Sequence, residues 1–106
     1  VITGPLSNQE ITIRSSIGYF LFVPPGTDEN LIASAGLELV RKEDRSENMA
    51  RCARRWHEAR SKRAQELRRI EGDETFEGQQ RFFQVAARVA EERRLSRFAY
   101  LARKPA

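Results

Sequence analysis

The chain has 106 residues, of which 40% are hydrophobic and 32% charged, and 19 basic residues against 15 acidic ones give a net charge of +4. This composition excludes a disordered tail and a collagen-like chain, and no apolar run approaches the roughly 20 residues of a membrane-spanning helix. Because Cys52 is the single cysteine, we expect neither a disulfide nor a metal site, and we expect a cytoplasmic protein without a membrane partner.

The first 22 residues predict the end of a strand followed by a helix. Residues 1–3 are β-branched and are stopped by a Gly-Pro pair, which is typical of a strand end. Ser7 and Glu10 match a capping box, in which each side chain binds the backbone N–H of the other residue. This cap favours a helix over residues 11–22, although the β-branched and aromatic residues in that stretch favour a strand by propensity.

A second helix and a strand are predicted over residues 27–40. Thr27 is followed by two acidic residues, which the macrodipole favours in the first turn of a helix. Gly36 stands where a left-handed C-terminal cap is wanted, and residues 37–40 alternate mostly as a strand does. The apolar side of this short helix consists of Leu31, Ile32 and Ala35.

Residues 46–95 predict a hairpin of two long helices. Ser46 can cap the first, which we expect to run to about Ile70 and to end at Gly72, while Asp73 opens the second. The stripes at helical spacing are Met49, Ala53, Trp56, Ala64, Leu67 and Ile70 in the first helix, and Phe76, Phe83, Ala87 and Ala90 in the second. Residues 96–103 alternate again and predict a final strand.

The charge of the chain is divided unevenly. The first 40 residues contain one basic and four acidic residues, whereas residues 41–106 contain 18 basic and 11 acidic residues. Such a basic half is compatible with an interaction module that binds nucleic acid or an acidic protein. The interleaved acids favour instead a solvated helix surface with ion pairs along the helix, so we do not expect nucleic acid as the partner.

The sequence contains no complete catalytic motif. We find no P-loop, no nucleophile elbow, no zinc helix and no paired cysteines. His57 is a conceivable general base, and Cys52, which lies between arginines, is a conceivable reactive thiol, but a surface histidine and a packing cysteine explain both residues as well. We therefore assign no catalytic residue.

Three residues are candidates for the wall of a substrate pocket: Tyr19, Trp56 and Arg60. Trp56 and Arg60 are four apart on a predicted helix and so face the same way. An arginine on an apolar stripe can meet an anionic substrate group, or its stem can cover the core while its head reaches solvent. Tyr19 belongs to an aromatic block that is compatible with the core or with a ligand pocket.

Four stretches together form a recognisable pattern: IGYFLFVPPGTDE at 17–29, LIASAGLELV at 31–40 followed by Glu43-Asp44, ARRW at 53–56, and LSRFAYLARKP at 95–105. The most specific part is the helix, Ala-Gly-hydrophobic, strand unit at 35–40, joined to the strand at 98–102. The pattern covers nearly all of the chain and resembles the C-terminal half of class I S-adenosylmethionine-dependent methyltransferases.

The resemblance implies an α/β fold, of which residues 1–106 are an α-rich fragment. In that family a doubly wound, Rossmann-like sheet of seven strands has its last strand inserted antiparallel to the rest. Residues 1–3 would end the fifth strand, 37–40 would be the sixth and 97–102 the seventh. Residues 46–95 would then be a two-helix insertion on the substrate side of the sheet.

The resemblance also implies an activity for the parent protein. S-adenosylmethionine would donate a methyl group to a small-molecule acceptor, and the pocket walls would include Tyr19, Trp56 and Arg60. The family's cofactor residues match nothing in this chain, so no cofactor-binding residue is assigned and the fragment alone is expected to be inactive. Because Met49 is the only methionine and the chain begins at Val1, we expect a piece of a longer or processed protein, with self-association as one way to cover an exposed sheet edge.

Overall fold

The computed structural model describes residues 1–18 and 20–106, and in this part of the chain it has a mixed α/β fold with five helices and two strands. The helices are α1 (Asn8–Arg14), α2 (Thr27–Ser34), α3 (Ser46–Lys62), α4 (Ala64–Glu71) and α5 (Asp73–Glu91), and the strands are β1 (Glu38–Asp44) and β2 (Phe98–Arg103). None of the described helices is long and apolar enough to cross a membrane.

Helix α1 begins as its sequence predicts but is shorter. Both bonds of the capping box are present, from the Glu10 amide to the Ser7 hydroxyl and from the Ser7 amide to the Glu10 carboxylate. The prediction of a helix over residues 11–22 is wrong beyond Arg14, since turns follow and residues 20–24 are irregular. The Ser16 hydroxyl donates to the carbonyl of Ile13. This bond gives a carbonyl of the last helical turn a local hydrogen-bond donor where the helix ends.

The helix–glycine–strand unit is confirmed. Helix α2 starts at Thr27 with its two acids in the first turn, and Gly36 adopts φ +78 after its C-terminus. Strand β1 is longer than predicted, since it runs from Glu38 to Asp44 in antiparallel register with β2. Pairing with β2 therefore extends the strand through charged residues whose own propensity would not.

The first long helix begins at Ser46 and ends before Gly72 as predicted, but its cap and its middle differ. Ser46 does not cap it: the Ser46 amide donates to the Asp44 carboxylate at 2.8 Å, and the Ser46 hydroxyl accepts from the Arg97 amide at 3.1 Å. The helix also breaks at Arg63, where φ is −115, so that α3 and α4 are separate helices. Helix α4, which follows the break, contacts α5. We use "helical hairpin" below for α3, α4 and α5 together.

Residues 1–3 and β1 lie on opposite sides of the segment that leads into β2. Val1 and Ser96 exchange two backbone bonds of 2.8 Å, while the neighbouring Arg97 carbonyl accepts from the Arg45 amide. Successive residues of an extended chain direct their N–H and C=O groups to opposite sides. The last strand is therefore flanked on both sides where it begins, although residues 1–3 form only one bridge, between Ile2 and Leu95.

The core lies mainly along α5. One cluster joins α5 to α3 through Ala53, Ala86 and Ala87. The other consists of Val85, Val89 and Leu95. The side chains that pack against it come from the start of the chain, called the N-terminal segment below: Ile2, Leu6, Ile13 and Phe22. Helix α2 has no buried residue, and Leu31 on its predicted apolar side is 61% exposed. Leu39 and Leu101 on the strands are exposed as well.

Candidate functional site

Trp56 and Arg60 lie on α3 as predicted, but their surroundings differ. The Trp56 ring is stacked on Phe83 of α5, with ring centroids 5.6 Å apart, and 61% of the residue remains exposed. It is thus a flat apolar surface that a ligand can reach. Only 15% of the Arg60 side chain is exposed.

The guanidinium of Arg60 is used by the helical hairpin itself. Its Nε donates to Gln80 at 3.1 Å and its Nη2 donates to the carboxylate of Glu71. The same guanidinium lies over the ring of Phe76, 5.4 Å from the centroid. Gln80 in turn donates to the hydroxyl of Ser61 at 2.9 Å. Arg60 therefore ties the end of α4 and the middle of α5 to α3, rather than standing free beside Trp56.

The third predicted wall residue, Tyr19, lies outside the described residues. Two members of the same aromatic block, Phe20 and Phe22, line a cavity of about 440 Å³ between the N-terminal segment and the start of β2. This volume is within the range of small-molecule sites, roughly 300–1,000 Å³. The cavity is also lined by Met49, Phe98 and two arginines, Arg14 and Arg97.

Arg14 is the most unusual group in this cavity. Its guanidinium lies between two aromatic rings, 4.5 Å from the centroid of Phe20 and 5.1 Å from that of Phe82. The Nε and Nη1 atoms are enclosed and find no hydrogen-bond acceptor among the described residues. Burial, followed by the nearby charge of Arg97, lowers the pKa of Arg14. Since arginine stays protonated in proteins, an uncompensated positive charge remains here.

Sequence reasoning missed this arginine. The only signal was that Arg14 is the one basic residue among the first 40. The capping box placed it within a predicted helix over 11–22, and so gave no reason to separate it from a solvated surface. The end of α1 at Arg14 and the return of Phe20 over its guanidinium create the site, and neither follows from periodicity.

A polar cluster connects α2 to the sheet beside the cavity. The Lys42 ammonium pairs with Glu29 at 3.0 Å and lies 4.3 Å from the centroid of the Phe98 ring. The Tyr100 hydroxyl donates to Asp28 at 3.4 Å. Burial, and then hydrogen bonding to Glu29, raises the pKa of Tyr100 to about 12. The phenol therefore stays protonated near neutral pH and acts as a hydrogen-bond donor, not as a base.

A second polar group fixes α1 to the end of α5. Arg94 donates to Glu10 at 2.6 Å and to the carbonyl of Pro5 at 3.2 Å. The Arg94 hydrogen bond, followed by the Ser7 backbone bond, lowers the pKa of Glu10 to about 2. Glu10 thus combines helix capping with a tertiary ion pair. Its partners are satisfied, which is typical of a structural group.

His57 and Cys52 form no catalytic arrangement in the described part of the chain. The contact made by His57 is through its carbonyl, which accepts from Gln80 at 3.1 Å, and the exposed thiol of Cys52 lies 4.0 Å from the Asn48 side chain. Within residues 1–18 and 20–106, no group of three or more His, Cys, Asp or Glu side chains is arranged to hold a metal ion.

Comparisons with known proteins leave the family open: neither a protein-family model nor a curated protein matches this chain.

Proposed function

We propose that this chain is the C-terminal, substrate-side part of a class I S-adenosylmethionine-dependent methyltransferase that acts on a small molecule. The observation that carries the proposal is the arrangement around β2. This strand runs antiparallel to β1, and the connection between them is the helical hairpin. A last strand inserted antiparallel, after a helical insertion, is what the sequence resemblance implies for the final two strands of a Rossmann-like sheet.

The neighbours of β2 add support. Residues 1–3 bind the backbone of 94–96 on one side, while on the other side β1 binds β2 and Arg45, the residue after β1, binds Arg97. In the proposed fold, residues 1–3 end the fifth strand and β1 is the sixth, so the seventh is inserted between them. On the side of residues 1–3 that faces away from residues 94–96, the amide of Ile2 donates to the carbonyl of Val23 at 2.8 Å. In the proposed fold a parallel strand pairs with the fifth strand on this side. The proposal therefore requires that Val23 does not hold this position in the longer protein.

The exposed apolar surface of α2 and the strands also fits a larger fold. Leu31, Val40 and Leu101 are each at least half exposed. Large apolar side chains left exposed on a helix and on both strands are compatible with surfaces that another part of a protein covers. In the proposed enzyme, the remaining helices and strands of the sheet cover part of this face, and S-adenosylmethionine binds to that other half of the domain.

The alternative of a basic interaction module is less well supported by the charges on the helical hairpin. Arg54 binds Glu91, Arg60 binds Glu71, and Arg68 binds Glu77 and Asp73. Each of these carboxylates would compete with a phosphate for the same guanidinium. These arginines are thus paired with carboxylates and do not form a single basic face.

The proposal is tested by calorimetric titration of S-adenosylmethionine into two proteins: the 106-residue chain and the longer product of the same gene. We expect binding to the longer protein alone, because the proposed cofactor half is not in this chain. If neither protein binds S-adenosylmethionine, the methyltransferase assignment fails. A steep salt dependence of nucleic-acid binding at micromolar concentration would then favour the basic module.

A further inference from the structure

The cavity between α1 and the start of β2 has a charge that its own residues do not neutralise. Two arginines, Arg14 and Arg97, line it together with one carboxylate, Asp28. Asp28 accepts a hydrogen bond from Tyr100, and the Nε and Nη1 atoms of Arg14 find no acceptor among the described residues. Val1 also lines the cavity and is bonded to the backbone of Ser96.

The guanidinium of Arg14 is held in place before any ligand arrives. The rings of Phe20 and Phe82 lie on it, and its last-turn position in α1 fixes its backbone. Nε and Nη1 are enclosed, so the part of the Arg14 guanidinium that a ligand in the cavity can reach is Nη2. A guanidinium already oriented by aromatic rings can give a carboxylate a charge-assisted hydrogen bond.

Apolar side chains form much of the remaining lining. Phe22, Met49, Leu95 and Phe98 form walls around a space of about 440 Å³. A fully hydrated inorganic anion would leave these walls in contact with water. A molecule with an apolar body and one anionic group would cover the walls and also satisfy the arginines, as in sites that combine apolar lining with a few polar groups.

We propose that this cavity binds a small organic acid, with its carboxylate between Arg14 and Arg97 and its apolar body against Phe22, Met49 and Phe98. The site is distinct from the Trp56 surface on the helical hairpin. It also does not depend on the proposed methyltransferase function, because every residue named lies in this chain. Failure to bind S-adenosylmethionine would therefore leave it standing.

The test compares benzoate with benzamide, which has nearly the same shape and no charge, by titration into the 106-residue chain followed by NMR chemical shifts. We expect benzoate to bind at least about tenfold more tightly than benzamide, since a charge-assisted hydrogen bond is worth more than a neutral one. The shifted resonances should include those of residues 95–98. Equal affinity of the two probes, or binding of neither, would overturn the proposal.

Two variants and a control locate the carboxylate. Arg14→Gln and Arg97→Gln should each weaken benzoate binding about tenfold and leave benzamide unchanged, while Arg81→Gln, on the exposed side of α5, should have no effect on either probe. Circular dichroism reports whether Arg14→Gln still folds. If it does not, Arg97→Gln and the benzoate-to-benzamide ratio decide. An unchanged ratio in Arg97→Gln would contradict the proposed position of the carboxylate.

Discussion

Helix α5 buries its apolar side chains, whereas α2 and β1 leave theirs in solvent. In α5, residues such as Phe76, Val85 and Val89 are at most 4% exposed, because α3 covers one side and the N-terminal segment covers another. Helix α2 contacts β1, and polar interactions such as the Glu29–Lys42 ion pair connect the two. An apolar stripe thus becomes a core only where the fold supplies a second surface.

The largest expected effect tests this difference directly. Phe76→Ala should lower the free energy of unfolding by about 3–5 kcal/mol, because it removes a buried aromatic ring from the helical hairpin. Leu31→Ala on α2 should change it by less than about 0.5 kcal/mol, because that side chain is exposed. Urea denaturation of both variants measures the two values. Comparable losses would mean that α2 is covered in solution, and the comparison would no longer hold.

A smaller effect is expected at Arg60. Replacing it by alanine leaves Gln80 and Glu71 without their partner, so we expect a loss of about 1–3 kcal/mol. Arg55→Ala, on the exposed side of the same helix, is the matched control and should lie within about 0.5 kcal/mol of the unchanged chain. Equal stability of both variants would show that Arg60 is dispensable for packing and available to a ligand.

Two glycines should respond in opposite directions. Gly36 follows α2 with φ +78, so Gly36→Ala should destabilise the chain by about 1 kcal/mol through backbone strain. Gly78 lies inside α5 with no atom within 4 Å of an added Cβ, so Gly78→Ala should stabilise it by about 0.5–1 kcal/mol. Thermal unfolding measures both. A stabilising Gly36→Ala would contradict the left-handed cap that connects α2 to β1.

The smallest effect depends on pH. The folded pKa of Glu10 is about 2, against an ordinary value of 4.5, so its contribution to stability is fully present above pH 4.5 and is lost as the pH falls toward 2. Glu10→Gln keeps the capping geometry but loses the charge that pairs with Arg94. Its melting temperature should therefore be lower than that of the unchanged chain at pH 7, and the difference should shrink by pH 2.5.

Glu58→Gln is the control for this pH dependence. Glu58 pairs with Lys62 on the exposed surface of α3, and exposed pairs contribute little. Its melting temperature should follow that of the unchanged chain from pH 2.5 to pH 7. A Glu10→Gln variant that behaves in the same way would show that the link between α1 and α5 has no ionic component.

The features that depend on neighbours along the chain could be predicted from residue types and spacing. The Ser7–Glu10 capping box, the start of α2 at Thr27, the left-handed Gly36 and the alternation of β2 are all as predicted. Each of these arises from bonds or dihedral preferences within about four residues, and such interactions can be identified from residue types and spacing.

The features that depend on distant partners could be read only from the folded chain. Helix α1 ends at Arg14, the long helix breaks at Arg63, and the Ser46 hydroxyl, which was expected to cap α3, accepts instead from the Arg97 amide, 51 residues away. The cavity at Arg14 likewise depends on Phe82 and Arg97. Helical periodicity states which face of a segment is apolar, but what covers that face, and which buried charge lacks a partner, is set by packing between segments far apart in the chain.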